Sequence, residues 1–189
     1  MATRFGGYMG RVVLVDLTSQ TVAEYPWTDE DREKYIGGKI MAAKVLSDHL
    51  TGQEQPFSEE NWIVVSTGPL TGTGAPSSGR FDLSCISPQT GILTSSNCGG
   101  SFGYHLKKAG IDALILKGRC EKHTWLENDN GRFTFHDADA FISVSFEHLM
   151  AMARGETTFD RLYLQGLLRV KGNLSKGAEM RLLLGRRQE

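Results

Sequence analysis

Cysteine is scarce in this chain of 189 residues, which has only Cys85, Cys98 and Cys120 and no pair in a C-x-x-C spacing. Three cysteines cannot build a disulfide framework, and they cannot supply the four thiolates that a structural zinc site or an iron-sulfur cluster usually takes. Free thiols also suit a reducing compartment. We therefore expect no structural disulfides and no iron-sulfur cluster in this chain.

Long apolar runs and an excess of charge of one sign are also missing. No stretch reaches the roughly 18 consecutive apolar residues that a membrane-spanning helix needs, and the first residues lack the apolar core of a signal peptide. The 21 Lys and Arg residues nearly balance the 22 Asp and Glu residues, whereas a nucleic-acid-binding surface usually carries surplus Lys and Arg. These absences predict a cytoplasmic protein with no membrane span and no nucleic-acid partner.

The apolar pattern predicts an α+β chain in which strands alternate with short helices. A β-hairpin is expected over 11–26, followed by a helix that Thr28 caps and that Gly37-Gly38 interrupts. Asp82 and Ser84 alternate with apolar residues, which is the period of a half-buried strand. Strands are predicted over 62–65, 81–85, 91–95, 111–117, 123–127, 132–136 and 168–171, and helices over 101–110, 146–153, 159–163 and 174–184.

Glycine is concentrated in the middle of the chain, where nine of the 22 glycines lie from Ser66 to Gly110, seven of them in two loops over 67–80 and 95–103. Glycine lets the main chain approach a ligand, and successive amide N–H groups form a concave anion site. The second loop also leads into a helix whose N-terminal end carries partial positive charge. Arg80 can add paired donors to a phosphate, and Asn97 offers an amide and a carbonyl for magnesium. The loops therefore predict a phosphate site.

Tight turns in a β-rich domain explain the same glycines without any ligand. Neither loop matches the phosphate-binding motif G-x-x-x-x-G-K-[ST] or the dinucleotide motif G-x-G-x-x-G. Loop composition alone leaves both explanations open.

Short motifs follow one another in a fixed order between about residues 8 and 139. They are Gly37-Gly38, Ala42-Ala43-Lys44, Thr67-Gly68-Pro69-Leu70-Thr71-Gly72, Ala75-Pro76, Gly79-Arg80, Ser96-Asn97, Gly99-Gly100, Phe102-Gly103, Leu106-Lys107, Ala109-Gly110, Asp112-Ala113 and Gly118. This order resembles the N-terminal domain of the tungsten-containing aldehyde ferredoxin oxidoreductase family. In that family the first domain is an α+β base of two β-sheets on which a tungsten or molybdenum bis-pterin cofactor rests. The resemblance implies an incomplete, β-rich two-sheet pterin base.

The resemblance also implies roles for individual residues. Arg80, Asn97 and Gly99 match positions that contact the pterins, and Gly100 is predicted to bind the cofactor with them. The Asn97 carbonyl matches a ligand of the magnesium ion that links the pterin phosphates. Lys39 stands where the family commonly has arginine, which weakens any bidentate contact with phosphate at that position.

The full enzymes of that family have two further, mostly helical domains, which carry the cluster cysteines, the remaining pterin contacts and the acid and base residues at the metal. This sequence has no counterpart of them, so we predict no catalytic residue in it. The resemblance implies the cofactor-binding part of an enzyme that oxidises aldehydes to carboxylic acids with ferredoxin as electron acceptor. It further implies a partner subunit that bears the cluster. The product of a truncated or fused gene is the alternative.

The end of the chain has a second resemblance. The segments 141–156 and 159–174 combine hydrophobic helical patterns with glycines, and they resemble the C-terminal half of a sterol carrier protein type two domain. That fold packs helices on a small sheet around an apolar tunnel for fatty acyl chains or sterols. The resemblance covers about 140–184 and predicts a division into 1–139 and 140–189. It adds a lipid-binding carrier as an alternative function, although the same apolar residues can simply form a core.

Overall fold

The structure, a computed structural model, describes residues 3–173, which divide into two compact units. The first unit runs to Glu121 and includes Leu126–Phe135, and the second consists of Lys122–Trp125 and the residues from His136 onward. The predicted helix over 174–184 lies outside the described residues. Within 3–173, no helix has the length and apolar character needed to span a bilayer.

The described chain contains ten strands and five helices. They are β1 (Val12–Asp16), β2 (Thr21–Glu24), α1 (Asp29–Tyr35), α2 (Gly38–His49), β3 (Ile63–Thr67), β4 (Phe81–Ile86), β5 (Leu93–Cys98), α3 (Phe102–Lys108), β6 (Ala113–Lys117), β7 (Thr124–Asp129), β8 (Arg132–Asp137), β9 (Ala140–Val144), α4 (Phe146–Ala153), α5 (Phe159–Leu164) and β10 (Leu168–Gly172).

Six strands of the first unit form one mixed sheet in the order β2-β1-β6-β3-β4-β5. Only β1 and β6 run parallel in this sheet, and its other neighbours are antiparallel. The other described sheets are the two-stranded pairs β7-β8 and β9-β10. The described residues therefore form a mixed α/β fold with one large sheet, where the family resemblance implied two sheets.

Local signals fixed several element boundaries. Thr28 caps α1 in a capping box, in which its side chain accepts from the amide of Asp31 and its own amide donates to the Asp31 carboxylate. The β7-β8 turn places Asn130 and Gly131 at positive φ, 49° and 90°, as the two-residue hairpin turn requires. The sequence prediction omitted β9, which pairs antiparallel with β10.

Apolar residues cover both faces of the six-stranded sheet. Val64 and Val65 are neighbours on β3 that point to opposite faces, and both are buried. On the Val64 face, α2 contributes Met41, Ala42, Val45 and Leu46 to a cluster with Val12, Ala113 and Ile115. On the Val65 face, Leu106 of α3 and Leu126, Phe133 and Phe135 of the hairpin pack around Val13 and Leu114. The sheet is therefore a central layer.

Strand β4 alternates between polar and apolar residues as predicted, but its polar residues are more buried than its apolar ones. Asp82 and Ser84 are buried, with 4% and 0% of their surface exposed, whereas Phe81, Leu83 and Cys85 are only partly buried. Ser84 lies directly opposite Val64 in the sheet, so these polar residues face the side that α2 covers. A half-buried strand would expose them, and the covering helix reverses that expectation.

The second unit has a small core of its own. Met152, Phe159, Leu162 and Leu168 are buried together there. Ser145 caps α4 as predicted, since its side chain accepts a hydrogen bond from the amide of His148. Phe146 and Leu164 are 76% and 84% exposed. These two residues therefore do not belong to the core that the apolar pattern suggested.

Candidate cofactor-binding site

A cavity of about 610 Å³ opens in the first unit beside the ends of β3, β4 and β5. The start of α2 forms one wall and the first glycine-rich loop another. The lining residues are Gly38, Lys39, Ser66, Gly68, Pro69, Leu70, Thr71, Pro76, Ser77, Ser78, Arg80, Phe81, Asp82, Ser95 and Asn97. The loop thus borders open space large enough for a small organic ligand.

The start of α2 forms its wall because Gly37 lets the helix approach β3. A Cβ atom built on Gly37 would lie 2.5 Å from the carbonyl oxygen of Thr67, far inside van der Waals contact. No side chain caps this helix, so its first-turn amides keep their partial positive charge beside the cavity. The sequence assigned that role to the helix after the second loop. No residue of α3 lines this cavity, whereas Gly38 and Lys39 at the start of α2 do.

Replacing Gly37 with alanine should push α2 away from β3. The added methyl group meets main-chain atoms that cannot rotate aside, so we expect a loss of about 1–3 kcal/mol in unfolding free energy, as for other overpacked sites. Gly6 provides the control, because a Cβ there meets nothing within 4 Å and its φ does not lie in the left-handed region. Urea denaturation of both variants measures the difference, and equal losses would contradict the close packing.

Arg80 and Asn97, which lie 17 positions apart in the chain, meet at the cavity. The Nη1 atom of Arg80 donates to Oδ1 of Asn97 at 2.7 Å, and both side chains are exposed. Among the described residues Arg80 has no other hydrogen-bond acceptor. Its remaining N–H groups are therefore available to an anion in the cavity, and Lys39 adds a second exposed cation to the lining.

Gly99 and Gly100 lie next to this cavity without lining it. The two loops approach each other closely, because a Cβ built on Gly79 would lie 3.4 Å from the carbonyl oxygen of Gly100. A Cβ on Gly99 or on Gly100 would meet no atom within 4 Å. The main chain of this loop is thus open to solvent, and cofactor binding by these two glycines stays a prediction.

The floor of the cavity is a polar row that the sequence prediction missed. Ser66, Asp82 and Asn97 lie directly opposite one another on β3, β4 and β5, so their side chains share one face of the sheet. Ser66 and Asp82 are buried, and all three residues line the cavity. The available signal was the presence of polar residues inside strands, but only the strand register shows that they meet.

A buried ion pair supports the loops from the other side of the sheet. The Lys107 ammonium donates to the Asp112 carboxylate at 2.6 Å and to the carbonyl oxygen of Gly7 at 2.7 Å. Asp112 also accepts from the amides of Met9 and Gly10. Burial raises the pKa of the nearby Tyr8 phenol, and the Asp112 carboxylate raises it further. This network ties the N-terminal loop to the end of α3.

The Asp112 main chain extends the same network to β3. Its carbonyl oxygen accepts from both the amide and the hydroxyl of Thr67, at 3.0 and 2.7 Å. Thr67 is the last residue of β3 and precedes the first glycine-rich loop. The loop therefore starts from a fixed position.

No cluster of three or more His, Cys, Asp or Glu side chains that could hold a metal ion occurs within residues 3–173. Cys85, Cys98 and Cys120 are free thiols, and burial raises the pKa of Cys85 above its ordinary value. Asn97 offers a magnesium ion at this cavity one oxygen ligand, and water and the bound ligand would supply others.

Comparison with known proteins supports the first of the two resemblances. The family model described as aldehyde ferredoxin oxidoreductase, N-terminal domain, matches residues 12–163. This match continues past the predicted boundary at 139, and the comparisons give the sterol-carrier resemblance no support.

Individual relatives agree with the family match. A tungsten-containing aldehyde ferredoxin oxidoreductase of Pyrococcus abyssi is 36% identical over 132 residues, which is 70% of this chain and 22% of the relative. A protein of the same name from Pyrococcus furiosus is 30% identical over 172 residues, which is 91% of this chain and 28% of the relative. The chain thus spans about a quarter of the length of the curated relatives it matches.

A solved structure shares the fold. It is the active site complex BamBC of benzoyl coenzyme A reductase in complex with 1,5-dienoyl-CoA. The superposition has a TM-score of 0.68 with 33% sequence identity, and it covers 70% of this chain and 20% of that one. Family model, relatives and structure agree, and the chain belongs to the aldehyde ferredoxin oxidoreductase N-terminal domain family.

Proposed function

We propose that this chain is the cofactor-binding domain of a tungsten or molybdenum bis-pterin oxidoreductase that acts on aldehydes with ferredoxin as electron acceptor. The observation that carries the proposal is the 610 Å³ cavity, which the family's glycine-rich loop borders and at which Arg80 and Asn97 meet. The names of the relatives support tungsten and ferredoxin. When bound, the metal–pterin group would supply the redox chemistry.

The charges of the lining fit a ligand with an anionic tail. Lys39 and Arg80 are exposed cations at the cavity mouth, and the uncapped end of α2 adds partial positive charge. We infer that these groups hold a phosphate of the cofactor. The amides of Gly99 and Gly100 and the carbonyl of Asn97 would complete the phosphate and magnesium contacts.

This domain needs further protein for catalysis. The cluster cysteines and the acid and base residues would come from a partner subunit or from further domains, and ferredoxin would accept the electrons there. Arg80, Lys39 and Asn97 would bind and orient the cofactor. We propose a cytoplasmic location for the assembly, and the division into 1–139 and 140–189 stays part of the proposal.

Arg80→Gln tests the phosphate contact. Neopterin monophosphate, a fluorescent pterin with a phosphate tail, should bind the full chain, and the substitution should weaken binding about 10-fold to 100-fold because a charge-assisted hydrogen bond contributes about 1.5–3 kcal/mol. The same substitution should weaken the binding of unphosphorylated neopterin much less. Fluorescence titration measures both.

Arg132→Gln is the matched control, since Arg132 is an exposed arginine that does not line the cavity. It should leave the affinity for neopterin monophosphate unchanged. Failure of the native chain to bind this ligand, together with the absence of tungsten and molybdenum from the purified protein, would overturn the proposed function.

A further inference from the structure

Asp82 is a buried carboxylate with few partners of its own. It is 4% exposed, and its Oδ1 atom accepts one hydrogen bond, from the Ser84 hydroxyl at 2.8 Å. Among the described residues it has no ion pair and no other hydrogen bond. A buried charge with so little compensation is costly, and Asp82 lines the cavity. A further hydrogen-bond donor to this carboxylate would therefore come from the cavity.

Ser66 is the second unsatisfied group at the same place. Its side-chain oxygen is buried and has no hydrogen-bond partner among the described residues. Ser66 lies directly opposite Asp82 on the neighbouring strand and also lines the cavity. Buried polar atoms are nearly always hydrogen-bonded in folded proteins, so an unsatisfied hydroxyl beside a carboxylate with a single hydrogen bond, both at the floor of one cavity, points to a ligand.

The chemistry of the two groups defines what they would bind. The Asp82 carboxylate can only accept hydrogen bonds, while the Ser66 hydroxyl can donate or accept. The cations Lys39 and Arg80 are exposed at the mouth, whereas the carboxylate is buried at the floor. A ligand that matches this order has neighbouring N–H donors at one end and an anionic tail at the other.

We propose that Asp82 and Ser66 recognise an aminopyrimidinone edge, the group of adjacent ring N–H and amino donors that pterins and guanine share. The inference rests on the proposed function in taking the pterin as its source. Asp82 would accept the two N–H groups, and Ser66 would complete the contact. The cavity would thus select the heterocycle at its floor and hold the phosphate at its mouth.

A pair of ligands tests this selection on the native chain. Neopterin monophosphate has the 2-amino group, and the corresponding lumazine phosphate has a carbonyl oxygen there, which would face the Asp82 carboxylate. We expect the pterin to bind at least about 10-fold more tightly, as for the loss of a hydrogen bond to a charged group. Equal affinities would overturn the inference, even if Asp82→Asn could not be purified.

Asp82→Asn should then reverse the preference, because an amide both accepts from the ring N–H and donates to the lumazine carbonyl. Ser84→Ala is the matched control, since it removes a buried partner of Asp82 without removing the acceptor. It should leave the preference for the pterin in place. A merely structural role for Asp82 would change both affinities together and leave their ratio unchanged, and that result would also overturn the inference.

Guanosine monophosphate tests whether the recognised edge belongs to a pterin or to guanine. Weaker binding than that of neopterin monophosphate supports the pterin. Tighter binding that depends on Asp82 would keep the recognition of the edge and contradict the proposed function. If the phosphopterin binds but the lumazine analogue binds equally well, the proposed function survives and the role of Asp82 fails.

Discussion

Replacing Lys107 with methionine should lower the free energy of unfolding by about 3–5 kcal/mol, because it removes one partner of a buried ion pair. The side chains of Lys107 and Asp112 are only 5% and 4% exposed, and their charged atoms lie 2.6 Å apart. Methionine keeps the length of the apolar stem but leaves the carboxylate without its cation. Urea denaturation followed by circular dichroism measures the loss.

The double variant Lys107→Met/Asp112→Asn separates the pair from its surroundings. Because it leaves neither charge buried alone, it should be less destabilised than the sum of the two single variants. Lys34→Met is the surface control: Lys34 pairs with Glu30 at 2.7 Å, but the two side chains are 59% and 75% exposed. It should change stability far less. Similar losses for Lys107→Met and Lys34→Met would show that burial does not govern the pair.

Local signals in the sequence predicted the elements well because each depends on a few adjacent residues. Thr28 marked the start of α1 through its capping box, and Asn130-Gly131 marked the β7-β8 turn through positive φ. The order of strands has no such local cause. β6 lies between β1 and β3 and so joins segments that are about 50 to 100 positions apart. Periodicity carries no information on such pairing.

The candidate site was predicted only in part, because some of its residues are brought together by strand pairing, which has no local signal in the sequence. The glycine-rich loops pointed to Arg80 and Asn97, and the structure brings these two side chains into contact. Ser66 and Asp82 were missed because a polar residue in a strand ordinarily marks the solvent side. Their burial depends on α2, which covers that face, and on the register that places Ser66 opposite Asp82. Neither fact follows from composition or spacing.

The packing of α2 on the sheet therefore decides whether the cavity has its second wall. Leu46 lies about two turns after the start of this helix, is 1% exposed and belongs to the cluster around Val64 and Ile115. Leu46→Ala should lower the unfolding free energy by about 2–5 kcal/mol, because the lost apolar burial adds to the cost of the cavity left behind. Urea denaturation measures this loss.

Ile40→Ala is the control on the same helix. Ile40 is 51% exposed, and its truncation should cost about 0.5 kcal/mol or less. Neopterin monophosphate should stabilise the Leu46→Ala protein as its concentration rises above the dissociation constant, because it binds only the folded chain. If Leu46→Ala and Ile40→Ala cost the same, α2 is not anchored through its buried face, and the wall it gives the cavity must be held by other contacts.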